Sequence, residues 1–384
     1  MNPFTFNTTP SIVFGAYKAK SIAQYAARLG PRVLIITDPG LIKTGIVDPV
    51  AAGLKTHNLE VHLFDQVVAD PPESLVLRAI DIARTTRATG IIGLGGGSSL
   101  DVAKLVAAMS ASTQHISEIY GIDNIRASRL PLVLIPTTAG TGSEVTPISI
   151  ITVGEHEKKG VVSPVLLPDV AVLDPVLTLG LPPAVTAATG VDAMVHAIEA
   201  YASSHANNNP ISKGLAIQAL KLLVGSIRQA VQNGSDLRAR SAMLLGSLLA
   251  GQAFANSPVA AVHALAYPLG GHYGVPHGLS NALMLPHVLR FNVATHPEPY
   301  AELVAQLNPE FSSATSSKAA MDLISLIQQL INDIGLQARL REIGIPQEAC
   351  PMLASEAMKQ TRLLVNNPRT VTIEDAQRMY ETAW

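Results

Sequence analysis

Four histidines lie in a stretch of the chain that carries no charged side chain. Residues 241–289 contain no Lys, Arg, Asp or Glu. The histidines of this stretch are His263, His272, His277 and His287. A single histidine among apolar residues is usually a hydrogen-bonded core residue, but four buried rings all need polar partners, and one metal ion satisfies several. The stretch therefore predicts a metal site, although spacing does not decide which rings face it: His272 rivals His277.

A second candidate for metal binding is the segment TGVDAMVHAIEAYAS at residues 189–203. Its apolar residues recur at helical spacing, and Asp192 and His196 lie one helical turn apart on an adjacent stripe. A carboxylate and an imidazole at positions i and i+4 of a helix can bind one metal ion. A solvated polar face of the helix explains the same pattern equally well.

A predicted strand, three glycines and a predicted helix meet in GLGGGSSLDVAK, residues 93–104. Glycine adopts backbone conformations closed to other residues and lets a ligand approach the main chain. The N–H groups and the dipole of the following helix favour an anion, so the junction predicts a phosphate or pyrophosphate site. We expect Ser98 and Asp101 to cap the helix as a Ser-x-x-Asp box. A tight turn without a ligand is the alternative.

Two further strand ends carry polar groups that suit a dinucleotide. Asp38 ends one predicted strand. A carboxylate there accepts hydrogen bonds from the ribose hydroxyls of an adenosine and repels a 2′-phosphate. The loop PTTAGTGSEVT, residues 136–146, follows another strand and carries threonine hydroxyls. Strand ends of one open parallel sheet share an edge, so these loops are expected to converge and to bind NAD rather than NADP. Asp38 alone would equally indicate a turn.

The two halves of the chain that carry these residues differ in character. Before residue 180, short β-branched runs alternate with amphipathic helical patterns, which predicts a parallel sheet with helices on both faces. The predicted strands are 32–38, 61–65, 90–95, 131–138, 147–153 and 170–174, and two predicted helices are 72–86 and 98–109. After residue 180 the pattern is helical. We therefore predict an α/β dinucleotide-binding domain at 1–180 and an all-helical metal-binding and catalytic domain at 181–384.

The composition excludes several classes of function. Of 384 residues, 48% are hydrophobic and 15% are charged, and the net charge is −2, which argues against disorder and against a nucleic-acid-binding surface. Gly, Pro and polar residues interrupt each apolar run before it could span a bilayer. The single cysteine, Cys350, excludes an intrachain disulfide, and the N-terminus does not resemble a signal peptide. We expect a cytoplasmic protein with no nucleic-acid or membrane partner.

Four motifs of the chain resemble those of one known family. GGGSSLDVAK, PTTAGTGSEVT, GVDAMVHAIEAY and HALAYPLGGHYGVPHGLSNALMLPHVLRFN closely resemble segments of the iron-containing (group III) alcohol dehydrogenases, in the same order. The resemblance extends from PSIVFG near the start to NNPRTVTIEDAQRMY near the end. It implies a Rossmann-like N-terminal domain, a helical metal-binding domain, and a homodimer or higher homo-oligomer.

The resemblance also implies roles for individual residues. The implied metal ligands are Asp192, His196, His263 and His277. The pyrophosphate of NAD would be held by Gly95, Gly96, Gly97 and Ser98, and the rest of the cofactor would be lined by Thr137, Thr138 and Thr141. Asp38 would face the adenosine ribose. Phe254 falls where these enzymes place an aromatic ring near the substrate.

One position departs from the family pattern. Many members have a histidine four residues after the third ligand, often linked to proton transfer, and this chain has Tyr267 there. The tyrosine lies one helical turn from His263, so its hydroxyl is expected to face the same site. With an unperturbed pKa near ~10 it is a poorer base than histidine at neutral pH. His272 is the alternative source of the missing imidazole.

The predicted activity is reversible, metal-dependent hydride transfer between NAD and a small neutral primary alcohol or diol, which becomes the aldehyde. Fe²⁺ is the predicted metal, because the implied ligands already complete a zinc tetrahedron and catalysis needs a further position; Zn²⁺ is the alternative. One rival is a non-redox lyase resembling dehydroquinate synthase, which should require Lys and Arg beside the ligands. A second rival is a non-catalytic nucleotide or metal sensor.

Overall fold

The computed structural model describes residues 3–25, 28–154, 157–307 and 315–384. By their contacts these residues divide into two units. The first is residues 7–180, and the second is residues 181–384 together with the start of the chain up to Phe6. The inclusion of the chain start in the second unit has no signal in the sequence pattern.

The first unit is built on a six-stranded parallel sheet, whose strands appear in the order β1-β9-β6-β4-β2-β3. A second sheet has the order β5-β8-β7, and β7 and β8 are antiparallel. The strands are β1 (Ile12–Phe14), β2 (Arg32–Ile36), β3 (Glu60–Phe64), β4 (Gly90–Gly95), β5 (Gly121–Ile122), β6 (Leu132–Pro136), β7 (Ile148–Val153), β8 (Glu157–Val162) and β9 (Val170–Leu173).

Helices cover both faces of the parallel sheet. Those of the first unit are α1 (Pro39–Lys43), α2 (Val47–Lys55), α3 (Glu73–Thr85) and α4 (Gly97–Ser110). Along β2, Leu34 and Ile36 join the core that contains α3 and α4, whereas Val33 and Ile35 join the core that contains α2. Successive side chains of a strand point to opposite faces, so a continuous apolar run is what a strand covered on both sides requires.

The second unit is helical throughout its described residues. Its helices are α5 (Pro183–Ala202), α6 (Pro210–Gln232), α7 (Leu237–Asn256), α8 (Ala261–Tyr273), α9 (His277–Val293), α10 (Glu298–Leu307), α11 (Ser316–Asp333), α12 (Cys350–Met358), α13 (Thr361–Leu364) and α14 (Ile373–Ala383). Among the described helices, none combines the length and the apolar character needed to cross a bilayer.

The predicted fold class, a parallel-sheet α/β half followed by a helical half, is confirmed. The six predicted strands correspond to β2, β3, β4, β6, β7 and β9, and β4 has the predicted bounds. The short strands β1 and β5 and the charged strand β8 were not predicted. The first two have only 3 and 2 residues, and β8 begins with Glu and two lysines, so none of them shows an apolar run.

Candidate functional site

The four implied metal ligands converge within the helical unit. Asp192, His196, His263 and His277 each offer one ligand atom, and these atoms all lie within 4.8 Å of one another. Asp192 Oδ1 is 3.5 Å from His277 Nε2 and 4.0 Å from His263 Nε2. Two ligand atoms that each lie about 2.1 Å from one ion are at most about 4.2 Å apart, so both separations suit a shared cation.

Three helices bring these ligands together, and two glycines allow the helices to approach. α5 carries Asp192 and His196. A Cβ on Gly190 of the same helix would lie 2.7 Å from the ends of the Ile227 and Met243 side chains, so any larger residue would require these side chains of α6 and α7 to shift. A Cβ on Gly278 of α9 would overlap the carbonyl of Ala188. The first turn of α9, which begins with His277, therefore rests directly on the backbone of α5.

A short connection between α8 and α9 positions His263 relative to His277. α8 continues through Pro268 to Tyr273 and stops at Gly274, which has φ 64° and ψ 21°. Pro268 removes one helical hydrogen bond at a cost of about 3 kcal/mol. The burial of Leu265 and Leu269 on the same helix offsets that cost.

Glu199, which lies on the same polar stripe of α5 as Asp192 and His196, fixes the orientation of one ligand. Its Oε2 lies 2.6 Å from His263 Nδ1, and its Oε1 accepts a 2.7 Å hydrogen bond from the Val262 N–H in the first turn of α8. A carboxylate can only accept hydrogen bonds, so His263 Nδ1 carries the proton and Nε2 offers its lone pair. Metal-binding histidines commonly donate their other ring N–H to a carboxylate in this way.

The charges around the cluster fit a divalent cation. Asp192 and Glu199 are both buried, with side chains 3% and 5% exposed, and their ion-pair partners among the described residues are histidines. Burial alone would raise the pKa of Asp192, but the facing imidazoles and a hydrogen bond from Asn281 hold that pKa below its ordinary value. Two buried carboxylates among neutral imidazoles leave two negative charges, which one dication balances.

Two aromatic residues of the prediction border the cluster. The ring of Phe254 stacks on His196 with centroids 4.2 Å apart, and only 8% of Phe254 is exposed. The half-buried ring of Tyr267 lies 5.9 Å from that of His277. Phe254 thus shields one side of His196 from water, and Tyr267 places its phenol ring beside His277.

The remaining histidines of the uncharged stretch do not join the cluster. His272 is exposed in the last turn of α8, five residues beyond Tyr267 and so on a different side of the helix. The idea that it replaces the missing imidazole is therefore not supported. His287 lines a separate cavity with Gln328 and Arg339, where burial lowers its pKa to about 4.

The predicted dinucleotide-binding residues lie at the ends of three adjacent strands of the first unit. β2, β4 and β6 are neighbours in the sheet, and they lead to Asp38, to Gly96 and Gly97, and to the loop that begins at Thr137. The two loops face each other, because a Cβ on Gly96 would lie 3.5 Å from the Thr138 methyl and a Cβ on Gly97 only 2.7 Å from that of Thr141. Gly96, Gly97, Ser98, Thr138 and Thr141 are partly exposed, whereas Gly95 and Thr137 are buried beneath them.

The prediction of a Ser-x-x-Asp cap at the start of α4 is wrong. α4 begins at Gly97 with Gly96 as its N-cap, and no side chain caps its first turn. Asp101 instead accepts hydrogen bonds from Ser143 Oγ at 2.6 Å and from the Ile150 N–H at 2.9 Å. A tertiary contact has replaced the local one, and it ties α4 to the segment that follows the threonine loop.

A buried lysine strengthens this connection. Lys104, one turn further along α4, donates to Ile148 O at 2.7 Å and to Thr146 Oγ1 at 3.1 Å, and it lies 3.6 Å from Asp101. Burial raises the pKa of the neighbouring Glu144 to about 7. The glycine junction and the threonine loop are therefore held together by polar contacts in the interior of the unit.

One of the two roles that the sequence left open for Asp38, the turn, is observed. Its Oδ1 caps α1 by accepting hydrogen bonds from the N–H groups of Gly40 and Leu41, which is turn chemistry. Its Oδ2 faces the glycine junction, where a Cβ on Gly95 would lie 3.5 Å away. The carboxylate is therefore held rigidly at the strand end, with one oxygen directed toward the predicted phosphate site.

Two family models together match most of the chain. The model described as iron-containing alcohol dehydrogenase matches residues 9–175, and the model described as the C-terminal part of the Fe-containing alcohol dehydrogenase family matches residues 186–384. A long-chain-alcohol dehydrogenase of Geobacillus thermodenitrificans is 42% identical over 93% of this chain and 91% of its own length.

Solved structures resemble the whole chain as well. A crystal structure of a 1,3-propanediol oxidoreductase has a TM-score of 0.96 at 35% identity, with 100% of both chains covered. A sulfoacetaldehyde reductase from Bifidobacterium kashiwanohense, solved in complex with NAD⁺, has a TM-score of 0.87 at 27% identity and covers 99% of this chain and 98% of its own.

Replacement of Glu199 by glutamine tests its effect on the metal ligand. The amide keeps the shape but removes the negative charge that fixes the His263 proton on Nδ1, so we expect metal affinity to fall about 10- to 100-fold. Competition with a chelator of known affinity measures the change. Glu302→Gln is the control, because Glu302 is an exposed carboxylate of the same unit that accepts a hydrogen bond from Tyr201. Equal metal affinity of Glu199→Gln and the parent would contradict this role.

Replacement of Gly96 by alanine distinguishes a ligand site from a simple turn. Gly96 has φ −74° and ψ −178°, which alanine adopts freely, and its nearest neighbour for a Cβ is 3.5 Å away. The fold therefore tolerates the methyl group, and only a ligand against the backbone would meet it. We expect an unchanged melting temperature and at least a ~10-fold weaker NAD affinity, which corresponds to about 1.4 kcal/mol.

Gly214→Ala, in a helix where a Cβ meets nothing within 4 Å, is the matched control for this substitution. Unchanged NAD affinity in Gly96→Ala would show that the junction is a turn without a phosphate. Titration calorimetry with NAD measures the affinity of both variants.

Proposed function

The chain belongs to the iron-containing alcohol dehydrogenase family, and on that premise we propose that it transfers hydride reversibly between NAD and a small neutral primary alcohol or diol. The observation that carries the proposal is the cluster of Asp192, His196, His263 and His277 in an apolar interior, with Glu199 directing His263. The similarity to an alcohol dehydrogenase and to a 1,3-propanediol oxidoreductase along nearly the whole chain supports the same activity.

The metal centre would be held by these four side chains. When bound there, the ion supplies a Lewis acid that lowers the pKa of an alcohol oxygen and polarises a carbonyl. Three imidazoles and one carboxylate suit Fe²⁺ and Zn²⁺ alike, and the family favours Fe²⁺. Asp192 contributes the charge, while Glu199 keeps Nε2 of His263 unprotonated and directed at the ion.

The cofactor would be held by the first unit. The uncapped start of α4 directs its N–H groups outward from Gly97 and Ser98, which suits the pyrophosphate of NAD. Thr138 and Thr141 face these glycines and would bind the rest of the dinucleotide, with Thr137 behind them. Asp38 would accept hydrogen bonds from the adenosine ribose through Oδ2 and would repel the 2′-phosphate of NADP.

The substrate would meet an uncharged surface. Phe254 shields His196 from water and offers an apolar face to a carbon chain. Tyr267 lies beside His277, and its hydroxyl would relay the proton of the alcohol to solvent by passing on its own proton as it accepts the incoming one. No Lys or Arg occurs in residues 241–289, so nothing in that stretch would bind a phosphate or carboxylate of a substrate.

The two rival functions have less support. A lyase like dehydroquinate synthase would need Lys and Arg beside the ligands, and α8 with the first turns of α9 carries neither. A non-catalytic sensor would also bind a dinucleotide or a metal, but that role would not require a phenol and an apolar ring next to the metal ligands.

We further propose a homodimer or higher homo-oligomer in the cytoplasm. β1 is an edge strand of the sheet, and its Ile12 and Phe14 side chains are 37% and 38% exposed. An open edge with exposed large apolar side chains favours contact with another chain. A light-scattering mass equal to one chain would contradict the oligomer.

The experiment that tests the function uses protein stripped of metal under anaerobic conditions. Fe²⁺ or Zn²⁺ is added back. NADH formation is followed with primary alcohols and diols, and NADH consumption is followed in the reverse direction with a sulfonated aldehyde. We expect one of the metals to restore turnover of neutral substrates, and His263→Ala to show none. Turnover without metal, or in His263→Ala, would exclude the metal-dependent reaction, and turnover of the sulfonated aldehyde alone would exclude a neutral substrate.

Replacement of Tyr267 by phenylalanine tests the proton-transfer role. The variant keeps the ring and loses the hydroxyl, so we expect kcat to fall about 100-fold or more while metal affinity is unchanged. Tyr267→His restores the residue that many family members have at this position and should regain turnover. Steady-state rates over a pH series separate these cases, and full activity of Tyr267→Phe would assign the proton to another group.

A further inference from the structure

An asparagine that no part of the reaction above uses lies against the metal ligands. Asn281 is on α9, one helical turn after His277, and is fully buried. Its Nδ2 is 2.6 Å from Asp192 Oδ1, 3.2 Å from His277 Nε2 and 3.3 Å from His263 Nε2. One amide nitrogen thus contacts ligand atoms from three different helices.

The orientation of the amide follows from its neighbours. The reversed amide would place its oxygen 2.6 Å from the Asp192 carboxylate, where two acceptors would repel each other. Nδ2 therefore faces the ligands and donates two hydrogens. One goes to Asp192, and the other is shared by the two imidazoles.

The donated hydrogens restrict the protonation of both histidines. Nε2 of His263 and of His277 must be an acceptor, because Nδ2 cannot accept a hydrogen bond. For His263 the contact with Glu199 requires the same arrangement independently, since Nδ1 donates to that carboxylate at 2.6 Å. An imidazole with an unprotonated Nε2 is the form that binds a metal through that atom.

The carbonyl oxygen of the Asn281 amide does not take part in this arrangement. Asn281 Oδ1 is buried and accepts no hydrogen bond from the described residues. A buried acceptor without a donor is destabilising. An asparagine retained for stability would satisfy its oxygen as well, so the residue is explained by what its two hydrogens do.

We propose that Asn281 is a positioning residue of the metal centre, whose amide hydrogens align Asp192, His263 and His277 and keep both imidazoles in the metal-binding form. The inference rests on the metal centre of the proposed function. Asn281 is not assigned as a ligand. It sets the affinity of the centre by ordering the ligands before the ion binds, when the lone pair of each Nε2 would pass from the amide hydrogen to the metal.

The test compares Asn281→Leu with Asn281→Ala. Leucine has the same number of side-chain heavy atoms and the same branch point as asparagine but no donor, whereas alanine removes both the bulk and the donor. Ser280→Ala is the control, because Ser280 is the preceding buried residue of α9 and donates weakly to Val275 O and Pro276 O. Two quantities are measured on each metal-stripped full chain: Zn²⁺ affinity by chelator competition, and melting temperature.

We expect Zn²⁺ affinity and melting temperature to respond differently to the two substitutions of Asn281. Zn²⁺ affinity should fall about 10- to 100-fold in both variants of Asn281. The melting temperature of Asn281→Leu should lie below that of the parent, because the buried Asp192 carboxylate loses a donor, even though the unsatisfied Asn281 oxygen is removed as well. Asn281→Ala should melt lower still because of its cavity. Ser280→Ala should bind Zn²⁺ like the parent.

Two results would overturn the proposal. Parent-like Zn²⁺ affinity in Asn281→Leu would show that the residue only fills space, and a loss in Ser280→Ala as large as in Asn281→Leu would show a general disturbance of α9. Failure of the proposed function would be seen in a different experiment: the unmodified chain would bind metal but would not turn over alcohols. The two kinds of failure are therefore distinguishable.

Discussion

The buried carboxylate of Asp192 is the constraint around which the helical unit is arranged. An ionised group with a 3% exposed side chain is costly unless charges or hydrogen bonds compensate it. Here the compensation comes from α8 and α9, through imidazoles and the Asn281 amide. Both helices must therefore approach α5 closely. The glycine at 278, which lets the start of α9 rest on the backbone of α5, is a consequence of placing a charge in an apolar interior.

Glycines serve opposite purposes in the two units. At Gly190 and Gly278 the missing side chain is replaced by a protein neighbour, so helices pack where a Cβ would collide. At Gly96 the space above the backbone contains no protein atom within 3.5 Å, and the dihedral angles would permit any residue. Close packing explains the first two. It does not explain Gly96, and a ligand that approaches the main chain does.

The sequence predicted features that depend on local pattern and missed those that depend on packing. β4 was predicted with its observed bounds because a β-branched run lies between glycines, and the histidines were noticed because their stretch lacks charge. The Asp101 cap was wrong because Ser143 and the Ile150 N–H, more than 40 residues away, compete for its carboxylate. Glu199 shares a helical stripe with Asp192 and His196 but Asn281 has no distinctive spacing, and the roles of both exist only once α5, α8 and α9 meet. The roles of the cofactor loops and of Tyr267 remain predictions.

Charge balance links the metal centre to the stability of the helical unit. Asp192 and Glu199 place two negative charges in an interior whose nearest sequence, residues 241–289, contains no cationic side chain. Neutral imidazoles relieve this only by hydrogen bonding, and Asn281 does so while leaving its own oxygen unsatisfied. A dication among the four ligands would cancel both charges, and its binding free energy would add to that of folding. The polar groups that would bind the metal are thus the ones that would make the stability of the unit depend on it.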